Sequence, residues 1–236
     1  MKLPAIKKFV LDILFPINCL SCGKELGEFI CQECLNKFPV LTSQSCFCGK
    51  RLPAGKICES CRKETRISRL MYASYYDNKI IRELIHIFKY KRIENLSLPL
   101  GEILIKFLEK QIKLGLDLSG FKIIPIPIYK SRFIERGFNQ SELLANGVGK
   151  YFGLEVSAKI LKRIKNTPPQ AEIDNWEKRK ENIIDVFLAV RPELTANQKI
   201  ILLDDVSTSG ATLKEAAKIL KEAGAKKIYG LILARG

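Results

Sequence analysis

The spacing of apolar residues divides the chain into alternating strands and helices. Ile200–Leu203 is an unbroken apolar run, which predicts a strand buried on both faces of a parallel sheet. Further strands are predicted over 69–76, 121–128, 187–190 and 227–234, and helices over 79–91, 96–114, 141–151 and 213–223. In the first of these helices Ile81, Leu84 and Phe88 lie on one apolar face. The alternation indicates an α/β fold with a parallel sheet flanked by helices.

Two adjacent carboxylates and a hydroxyl-rich turn follow the central strand. Asp204 and Asp205 are expected at its carboxyl end, and the turn after them contains Ser207, Thr208, Ser209, Gly210 and Thr212. Ligands of open α/β sheets bind at the carboxyl ends of strands, so we expect the acids and the turn to face one crevice. Backbone N–H groups of the turn and the start of the next helix favour a phosphate, whereas carboxylates suit sugar hydroxyls or hydrated Mg²⁺. One ligand with both a phosphate and a diol would use the whole stretch.

Two other kinds of site share part of this pattern. A solvated acidic strand end followed by a Ser/Thr helix cap is the simplest alternative. The magnesium strand of a P-loop ATPase also ends in acids, but the required pattern G-x-x-x-x-G-K-[ST] is absent from the sequence, as is the dinucleotide-binding pattern G-x-G-x-x-G. The chain has a single histidine, His86, so neither Ser–His nor Cys–His chemistry is expected.

All eight cysteines lie between Cys19 and Cys61, with the spacings C-x2-C, C-x2-C, C-x-C and C-x2-C. No export signal precedes them, so we expect a reducing, cytoplasmic compartment, where such pairs bind metal rather than form disulfides. The segment repeats itself, because Cys22-Gly-Lys-Glu-Leu matches Cys48-Gly-Lys-Arg-Leu. Each repeat is expected to hold one structural Zn²⁺, through Cys19, Cys22, Cys31 and Cys34 in the first and Cys46, Cys48, Cys58 and Cys61 in the second. Cross-braced pairing and an iron–sulfur cluster are the alternatives.

Length and charge limit the class of protein. The chain has 236 residues, of which 47% are hydrophobic, so there is room for one α/β domain and a small appendage. A polar segment at 62–68 indicates a boundary between residues 1–66, which hold the ribbons and an N-terminal helix, and residues 67–236. No apolar run reaches the roughly 18 residues that a transmembrane segment needs. The net charge of +15 favours polyanionic partners, although a surface charged for solubility would give the same composition.

The beginning of the chain has an apolar face at helical spacing. This face is made of Ile6, Phe9, Val10, Ile13 and Leu14. We expect the helix to dock with this face onto the body of the protein. Binding to a membrane surface is the alternative.

Two polar segments lie between the predicted core elements. The first, 129–140, follows a strand and carries Lys130, Arg132 and Arg136, which suit a pyrophosphate. A solvated basic loop is the alternative for this segment. The second, 163–182, is interrupted by prolines and is expected to close over a bound ligand and exclude water.

Several motifs resemble known families. Asp204–Thr212 (D-D-V-S-T-S-G-A-T) resembles the phosphoribosyl pyrophosphate (PRPP) motif of type I phosphoribosyltransferases. Arg136–Gln140 (R-G-F-N-Q), Thr167–Ala171 (T-P-P-Q-A) and the start L-F-P-x-x-C-x-x-C resemble the ComF family of competence proteins, which includes ComFC and GntX-like proteins. The resemblance covers nearly the whole chain. It implies a type I phosphoribosyltransferase-like sheet with a double zinc ribbon, in which 67–117 forms a hood over a core at 118–236.

The resemblance implies a role for each candidate residue. The catalytic acids Asp204 and Asp205 would hold the ribose hydroxyls of PRPP together with Mg²⁺. The 5′-phosphate would be bound by Thr208, Ser209, Gly210, Ala211 and Thr212, and the pyrophosphate by Lys130, Arg132 and Arg136. The acceptor of the phosphoribosyl group is not identified by any residue.

The resemblance also implies a cytoplasmic role in handling single-stranded DNA during natural competence, with competence or DNA-uptake proteins as partners. Tyr90, Phe133 and Trp176 stand beside basic runs, where aromatic rings can stack on bases, but they could equally be core residues. The alternative is a non-catalytic, zinc-dependent DNA-binding or scaffold protein that retains the PRPP fold.

Overall fold

The structure is a computed structural model that describes residues 17–167 and 185–236. The strands are β1 (Arg69–Tyr75), β2 (Phe121–Pro125), β3 (Leu161–Arg163), β4 (Phe187–Ala189), β5 (Lys199–Ser207) and β6 (Lys227–Arg235). The helices are α1 (Gln32–Asn36), α2 (Glu59–Thr65), α3 (Lys79–Tyr90), α4 (Ser97–Lys113), α5 (Lys130–Arg136), α6 (Gln140–Phe152) and α7 (Ala211–Glu222). Short 3₁₀ turns lie at Pro53–Gly55, Glu94–Leu96 and Pro192–Leu194.

The main sheet has four parallel strands in the order β1-β6-β5-β2. Its central strand β5 pairs with β2 on one side and β6 on the other, with Ile201 opposite Ile123 and Tyr229. This arrangement confirms the predicted α/β class with a parallel sheet. The strand predicted at 69–76 is the edge strand β1 of this sheet. The segment 67–117 therefore contains a strand of the main sheet in addition to the two helices α3 and α4.

The strand predicted at 187–190 is present as β4, but it does not join the main sheet. β4 pairs with β3 in a separate antiparallel ribbon. Phe187 is buried whereas Leu188 is 51% exposed. This one-sided pattern is typical of an antiparallel ribbon that covers a core, not of a strand buried on both faces.

The long predicted helices are all present, and polar side chains and glycines fix their ends. The side chain of Asn78 accepts a hydrogen bond from the N–H of Ile81 at the start of α3, and Asn139 caps α6 in the same way through Ser141. The segment 129–140, predicted as a loop, instead contains α5, which ends at Gly137 in the left-handed conformation.

The two faces of the sheet bury different elements, because alternate residues of a strand point to opposite sides. Ile201 and Leu203 of β5 pack in one apolar cluster with α3, α4 and α6, and this cluster includes the first cysteine repeat through Leu35. Ile200 and Leu202 pack in the other cluster with α7, β3, β4 and the second cysteine repeat. The two repeats therefore lie against opposite faces of the sheet. Among the described residues, no helix has the length and apolar character needed to cross a membrane.

Candidate functional site

The two adjacent acids lie within the last part of β5 and have different neighbours. The strand was expected to end at these acids, but it continues to Ser207 because pairing with β6 extends to Arg235. Asp205 is 6% exposed and meets α3, whereas Asp204 meets the first turn of α6. The acids thus lie at the carboxyl edge of the sheet, as predicted, but their side chains reach different elements.

Asp205 is neutralised by a lysine from α3. Lys89 Nζ lies 2.9 Å from Asp205 Oδ2, and the two side chains are 19% and 8% exposed. The other carboxylate oxygen accepts the backbone N–H of Val206 at 2.7 Å. A carboxylate with so little exposure needs a partner cation, and Lys89 provides it.

Asp204 accepts hydrogen bonds from two protein donors. The hydroxyl of Ser141 donates to Oδ1 at 2.9 Å, and the N–H of Asp205 donates to the same oxygen at 3.0 Å. Burial, followed by the negative charge of Asp205, raises the pKa of Asp204 to about 7, and Lys89 and Ser141 oppose that shift. Asp204 therefore titrates near neutral pH instead of in the usual acidic range of a carboxyl group.

Two arginines hold the start of the T-P-P-Q-A motif close to this edge. Arg132 donates to the carbonyl of Thr167 at 2.6 Å, and Arg163 donates to the Thr167 hydroxyl at 2.5 Å. Burial, and then the neighbouring Arg132, lowers the pKa of Arg163 to about 10, while the charge of Asp204 opposes this shift. Arg163 is still cationic at neutral pH. The rest of the segment predicted to close over a ligand, with Trp176, Arg179 and Asn182, lies outside the described residues.

The three cations predicted to bind pyrophosphate lie at different depths on α5. Lys130 is exposed, Arg132 is partly buried and Arg136 is 8% exposed. Arg136 donates to Gln140 Oε1 at 3.1 Å, and its guanidinium lies 5.6 Å from the centre of the Tyr90 ring. Arg136 Nε and Gln140 Nε2 are buried and have no hydrogen-bond partner in the described part of the chain. Both N–H groups can donate hydrogen bonds to an anion without losing an existing contact.

The hydroxyl-rich turn connects β5 to α7 in the predicted way. Gly210 has φ 76°, a conformation that favours glycine, and α7 begins at the next residue. The Ser209 hydroxyl accepts the N–H of Ala211 at 3.3 Å. Strand, turn and helix N-terminus therefore follow one another in the order that is typical of phosphate-binding turns.

The second cysteine repeat packs directly on this turn, a contact that the sequence did not predict. A Cβ on Gly210 would collide with the ring of Phe47, which lies between Cys46 and Cys48. Lys214 of α7 lies 5.1 Å from the centre of the same ring and 3.3 Å from Glu64 Oε1. The phosphate-type turn is thus supported from one side by the metal ribbon.

The carboxyl end of β6 anchors the same ribbon. Arg235 donates to the carbonyl of Ser45 at 2.8 Å and to the carbonyl of Cys46 at 3.1 Å. Its guanidinium lies 5.2 Å from the centre of the Tyr72 ring, and the Tyr72 hydroxyl accepts the N–H of Ser45 at 2.9 Å. The position of Phe47 over the turn is therefore fixed by contacts with two strands of the main sheet.

The cysteines form two groups of four, in the sequential pairing that the repeat predicted. In each group the four Sγ atoms lie within 4.8 Å of one another, with Cys19, Cys22, Cys31 and Cys34 in one and Cys46, Cys48, Cys58 and Cys61 in the other. The cross-braced alternative is wrong. Neighbouring sulfurs, such as Cys22 and Cys31, are 3.7–3.8 Å apart. Tetrahedral Zn²⁺ with bonds of about 2.3 Å places its sulfurs about 3.8 Å apart, so both groups fit this ion.

Two of the aromatic residues considered for base stacking lie on the surface. Tyr90 is 53% exposed and Phe133 is 48% exposed, so neither is a core residue. The ring of His86, which is also exposed, lies 4.9 Å from that of Tyr90.

Four residues at or beside the site were not assigned to it from the sequence. They are Lys89, Ser141, Arg163 and Phe47. A signal existed for Ser141, because it directly follows the R-G-F-N-Q block at a helix start. No local pattern marks the contact between Phe47 and Gly210, since it depends on how the ribbon docks.

Comparison with known proteins identifies both parts of the chain. Residues 10–62 match the Double zinc ribbon domain and residues 143–235 match the Phosphoribosyl transferase domain. The chain is 35% identical to Competence protein F of Haemophilus influenzae over 114 residues, which are 48% of this chain and 49% of that protein. It is 24% identical to Competence protein ComFC of Streptococcus pneumoniae over 93% of this chain and 100% of that protein. It is 28% identical to DNA utilization protein YhgH of Salmonella typhi over 87% of this chain and 90% of that protein. These matches confirm the predicted double zinc ribbon and phosphoribosyltransferase-type domain.

Proposed function

We propose that this chain, which belongs to the ComF family of competence proteins and joins a double zinc ribbon to a phosphoribosyltransferase-type domain, binds PRPP with Mg²⁺ at the carboxyl edge of β5. The observation that carries the proposal is the joint placement of an acid pair and a phosphate-type turn on one strand–helix unit. A ligand with a ribose diol and a 5′-phosphate matches both parts.

The residues have separate roles in this proposal. Asp204 and Asp205 bind the ribose hydroxyls and Mg²⁺, because paired carboxylate oxygens suit this hard cation. The turn from Thr208 to Thr212, with Ser209, Gly210 and Ala211, binds the 5′-phosphate through backbone N–H groups and hydroxyls. When bound, Mg²⁺ offsets the charge of the pyrophosphate.

The pyrophosphate needs cationic donors at the same edge. Lys130 and Arg132 offer charge near the surface, and Arg136 and Gln140 offer the two buried donors that have no partner in the described residues. The two acids need only to orient the sugar, since departure of pyrophosphate depends on cationic stabilisation more than on a strong base.

Binding of PRPP is tested by thermal unfolding with PRPP and Mg²⁺ present. We expect the wild-type protein to gain melting temperature, because a ligand that binds the folded state stabilises it. Changing Asp204 and Asp205 together to alanine should abolish the gain. Changing the exposed Asp77 to alanine is the matched control and should leave it intact. An unchanged gain in the double variant would remove the site assignment.

Turnover is tested separately from binding. The protein is incubated with PRPP, Mg²⁺ and a panel of nucleobases, amines or single-stranded DNA, and pyrophosphate release is measured. Release with one class of acceptor identifies a transferase. Binding of PRPP without release for any acceptor would favour the alternative of a PRPP-type fold retained as a binding module.

Handling of single-stranded DNA is the second part of the proposal. The support is the net charge of +15 together with the exposed rings of Tyr90 and Phe133 beside basic residues. Positive charge tracks the phosphates and exposed rings stack on bases. The relatives' names, competence protein and DNA utilization protein, agree with a role in DNA uptake, where other proteins of that process would be partners.

Fluorescence anisotropy with a labelled single strand tests this part. We expect affinity to fall steeply as salt rises, and to fall when Tyr90 and Phe133 are both changed to alanine. Tyr151, which is 57% exposed on α6, provides the control substitution. Absence of DNA binding, or binding indifferent to salt, would favour the zinc-dependent scaffold alternative.

A further inference from the structure

Each of the four strands of the main sheet carries a basic residue at its start. β1 begins with Arg69, β5 with Lys199 and β6 with Lys227, and Lys122 is the second residue of β2. Because the strands are parallel, these residues lie along one edge of the sheet, which we call the amino edge. Positive charge therefore collects at the edge opposite to the acid pair.

Two exposed lysines extend this set of cations. Lys226 directly precedes β6, and Lys56 forms an isolated bridge with Arg69 of β1. The amino-edge row is the name we give to five of these cations: Lys56, Arg69, Lys199, Lys226 and Lys227. The row crosses the neighbouring strands β1, β6 and β5, so at the usual spacing between strands it extends about 10 Å. A line of cations suits a linear polyanion.

Buried aromatic rings hold three cations of the row in place. Phe121 and Tyr229 are buried and stack on each other, with their ring centres 4.5 Å apart. Lys227 Nζ lies 5.2 Å from the centre of the Tyr229 ring, and the Arg69 guanidinium lies 5.5 Å from it. Lys199 Nζ lies 5.7 Å from the centre of the Phe121 ring. Cations at such distances are attracted to the ring faces, so these side chains lose less conformational entropy when a ligand binds.

The cations of the row repel one another. Lys199 and Lys227 face each other as register partners on β5 and β6, and like charges at facing positions destabilise a sheet. Hydrogen bonds from Ser119, and then the charges of Lys199 and Lys227, lower the pKa of the exposed Asp117. The single charge of Asp117 offsets only part of the repulsion between two lysines. An anionic ligand at the amino edge would relieve more of it.

The row is separate from the surfaces that carry the proposed function. Lys199 and Asp205 lie six residues apart on β5, which corresponds to about 20 Å along an extended strand. Tyr90 follows Lys89, which contacts Asp205, and Phe133 belongs to α5, which comes after the carboxyl end of β2. An anion bound at the amino edge therefore does not touch the acid pair.

We propose that the amino-edge row is a second contact surface, at which the phosphate backbone of a nucleic acid strand binds. A strand presents its phosphates in a line, as the row presents its cations, whereas a compact anion such as PRPP would meet only part of the row. Contacts to phosphates carry no sequence information, so binding here is independent of base sequence. The inference rests on the proposed handling of single-stranded DNA and adds a surface on the opposite edge of the sheet.

Fluorescence anisotropy with a labelled oligothymidine strand at several salt concentrations tests the proposal. Lys199→Gln combined with Lys227→Gln removes two cations of the row. The control combines Lys110→Gln with Lys150→Gln, which removes two exposed cations from α4 and α6 and gives the same net charge. Each phosphate contact with a single strand contributes about −0.7 to the slope of log affinity against log salt, so we expect the row variant to have a slope shallower by about 1.4. The control should keep the slope of the wild type.

A second row variant changes exposed side chains alone. Lys56→Gln combined with Lys226→Gln leaves the cations over the two rings in place and should also give a shallower slope than the control. Thermal unfolding shows whether each variant is folded. Slopes equal to that of the control in both row variants would overturn this inference and leave the proposed DNA binding intact. Absence of strand binding by the wild type would overturn both. Binding to phosphatidylglycerol vesicles that requires the row, with strand binding unchanged in the row variants, would assign the row to a membrane surface and overturn the inference.

Discussion

Replacing Lys89 by methionine tests whether the acid pair is balanced by a cation that the protein itself provides. Lys89 Nζ lies 2.9 Å from Asp205 Oδ2, and the two side chains are 19% and 8% exposed. Methionine keeps most of the length and apolar contact of the lysine side chain but removes its charge. The variant therefore isolates the electrostatic part of the interaction.

The magnitude follows from the depth of the pair. Two unit charges about 4 Å apart attract by about 4 kcal/mol at an effective dielectric constant of 20. Removing one partner of a buried pair costs about 3–5 kcal/mol, because the other charge is left uncompensated. Since part of Lys89 is exposed, we expect the free energy of unfolding to fall by about 2–3 kcal/mol at pH 8. In a chain of this length the melting temperature should then fall by about 4–12 °C.

The assay is thermal and urea unfolding of four single variants and one double variant. Lys89→Arg should retain most of the stability, because the positive charge remains. Lys91→Met removes an exposed lysine one residue beyond the same helix and should have little effect. Mg²⁺ should restore stability to Lys89→Met more than to the wild-type protein, because a metal cation can replace the missing charge beside the acids.

A double-mutant cycle with Asp205→Asn decides the interpretation. If Lys89 acts through Asp205, the effect of Lys89→Met should largely disappear when Asp205 is already neutral. A coupling free energy below about 0.5 kcal/mol, or a Lys89→Met variant as stable as Lys91→Met, would refute the reasoning.

Three further predictions rest on the same site. Gly210→Ala should destabilise the protein by about 1–3 kcal/mol in chemical unfolding, because alanine is strained at φ 76° and its Cβ collides with Phe47. Adding Phe47→Ala to this variant should restore part of the lost stability. Burial and Asp205 raise the pKa of Asp204 from 3.8 to about 7, so ionisation of Asp204 lowers the free energy of unfolding of the wild type as pH rises between those values. The stability of Asp204→Asn relative to the wild type should therefore increase from about pH 4 to pH 7 and stay constant above pH 7. A stability difference that does not change with pH would contradict this sign. Cys48→Ser should weaken PRPP binding more than Cys22→Ser does, when binding is measured by calorimetry with Mg²⁺. Both cysteines are exposed, but only the group that contains Cys48 lies against the phosphate-type turn. Equal losses of affinity in the two variants would contradict this reasoning.

Features that depend on local pattern could be predicted from the sequence. Three features of this kind agree with the structure: the unbroken apolar run predicts β5, the periodic apolar face predicts α3, and the cysteine spacing predicts the metal-binding groups. The duplicated cysteine segment even predicted which sulfurs group together. In each of these features the deciding residues lie within a few tens of positions of one another.

Contacts between distant segments could not be predicted in this way. β4 has an apolar sequence, but only its pairing with β3 shows that it covers the core instead of joining the main sheet. The ion pair between Lys89 and Asp205 joins a helix and a strand far apart in the chain. The basic segment after β2 appeared as a loop because charged residues interrupt its apolar pattern, yet Arg136 is buried in α5 against Tyr90 and Gln140.

The two ribbons are alike in sequence but have different contacts, and one change in spacing accounts for part of this difference. The first repeat begins with Cys19-Leu-Ser-Cys22, whereas the second begins with Cys46-Phe47-Cys48, in which one residue instead of two separates the cysteines. Because two metal ligands flank Phe47 directly, a bound ion would fix the backbone on both sides of the ring that packs on Gly210. The first repeat contributes instead to the cluster on the opposite face, beside α4 and α6. A duplicated metal site can therefore keep its ligands while its neighbouring side chains contact different surfaces, one at the candidate phosphate site and one beside α4 and α6.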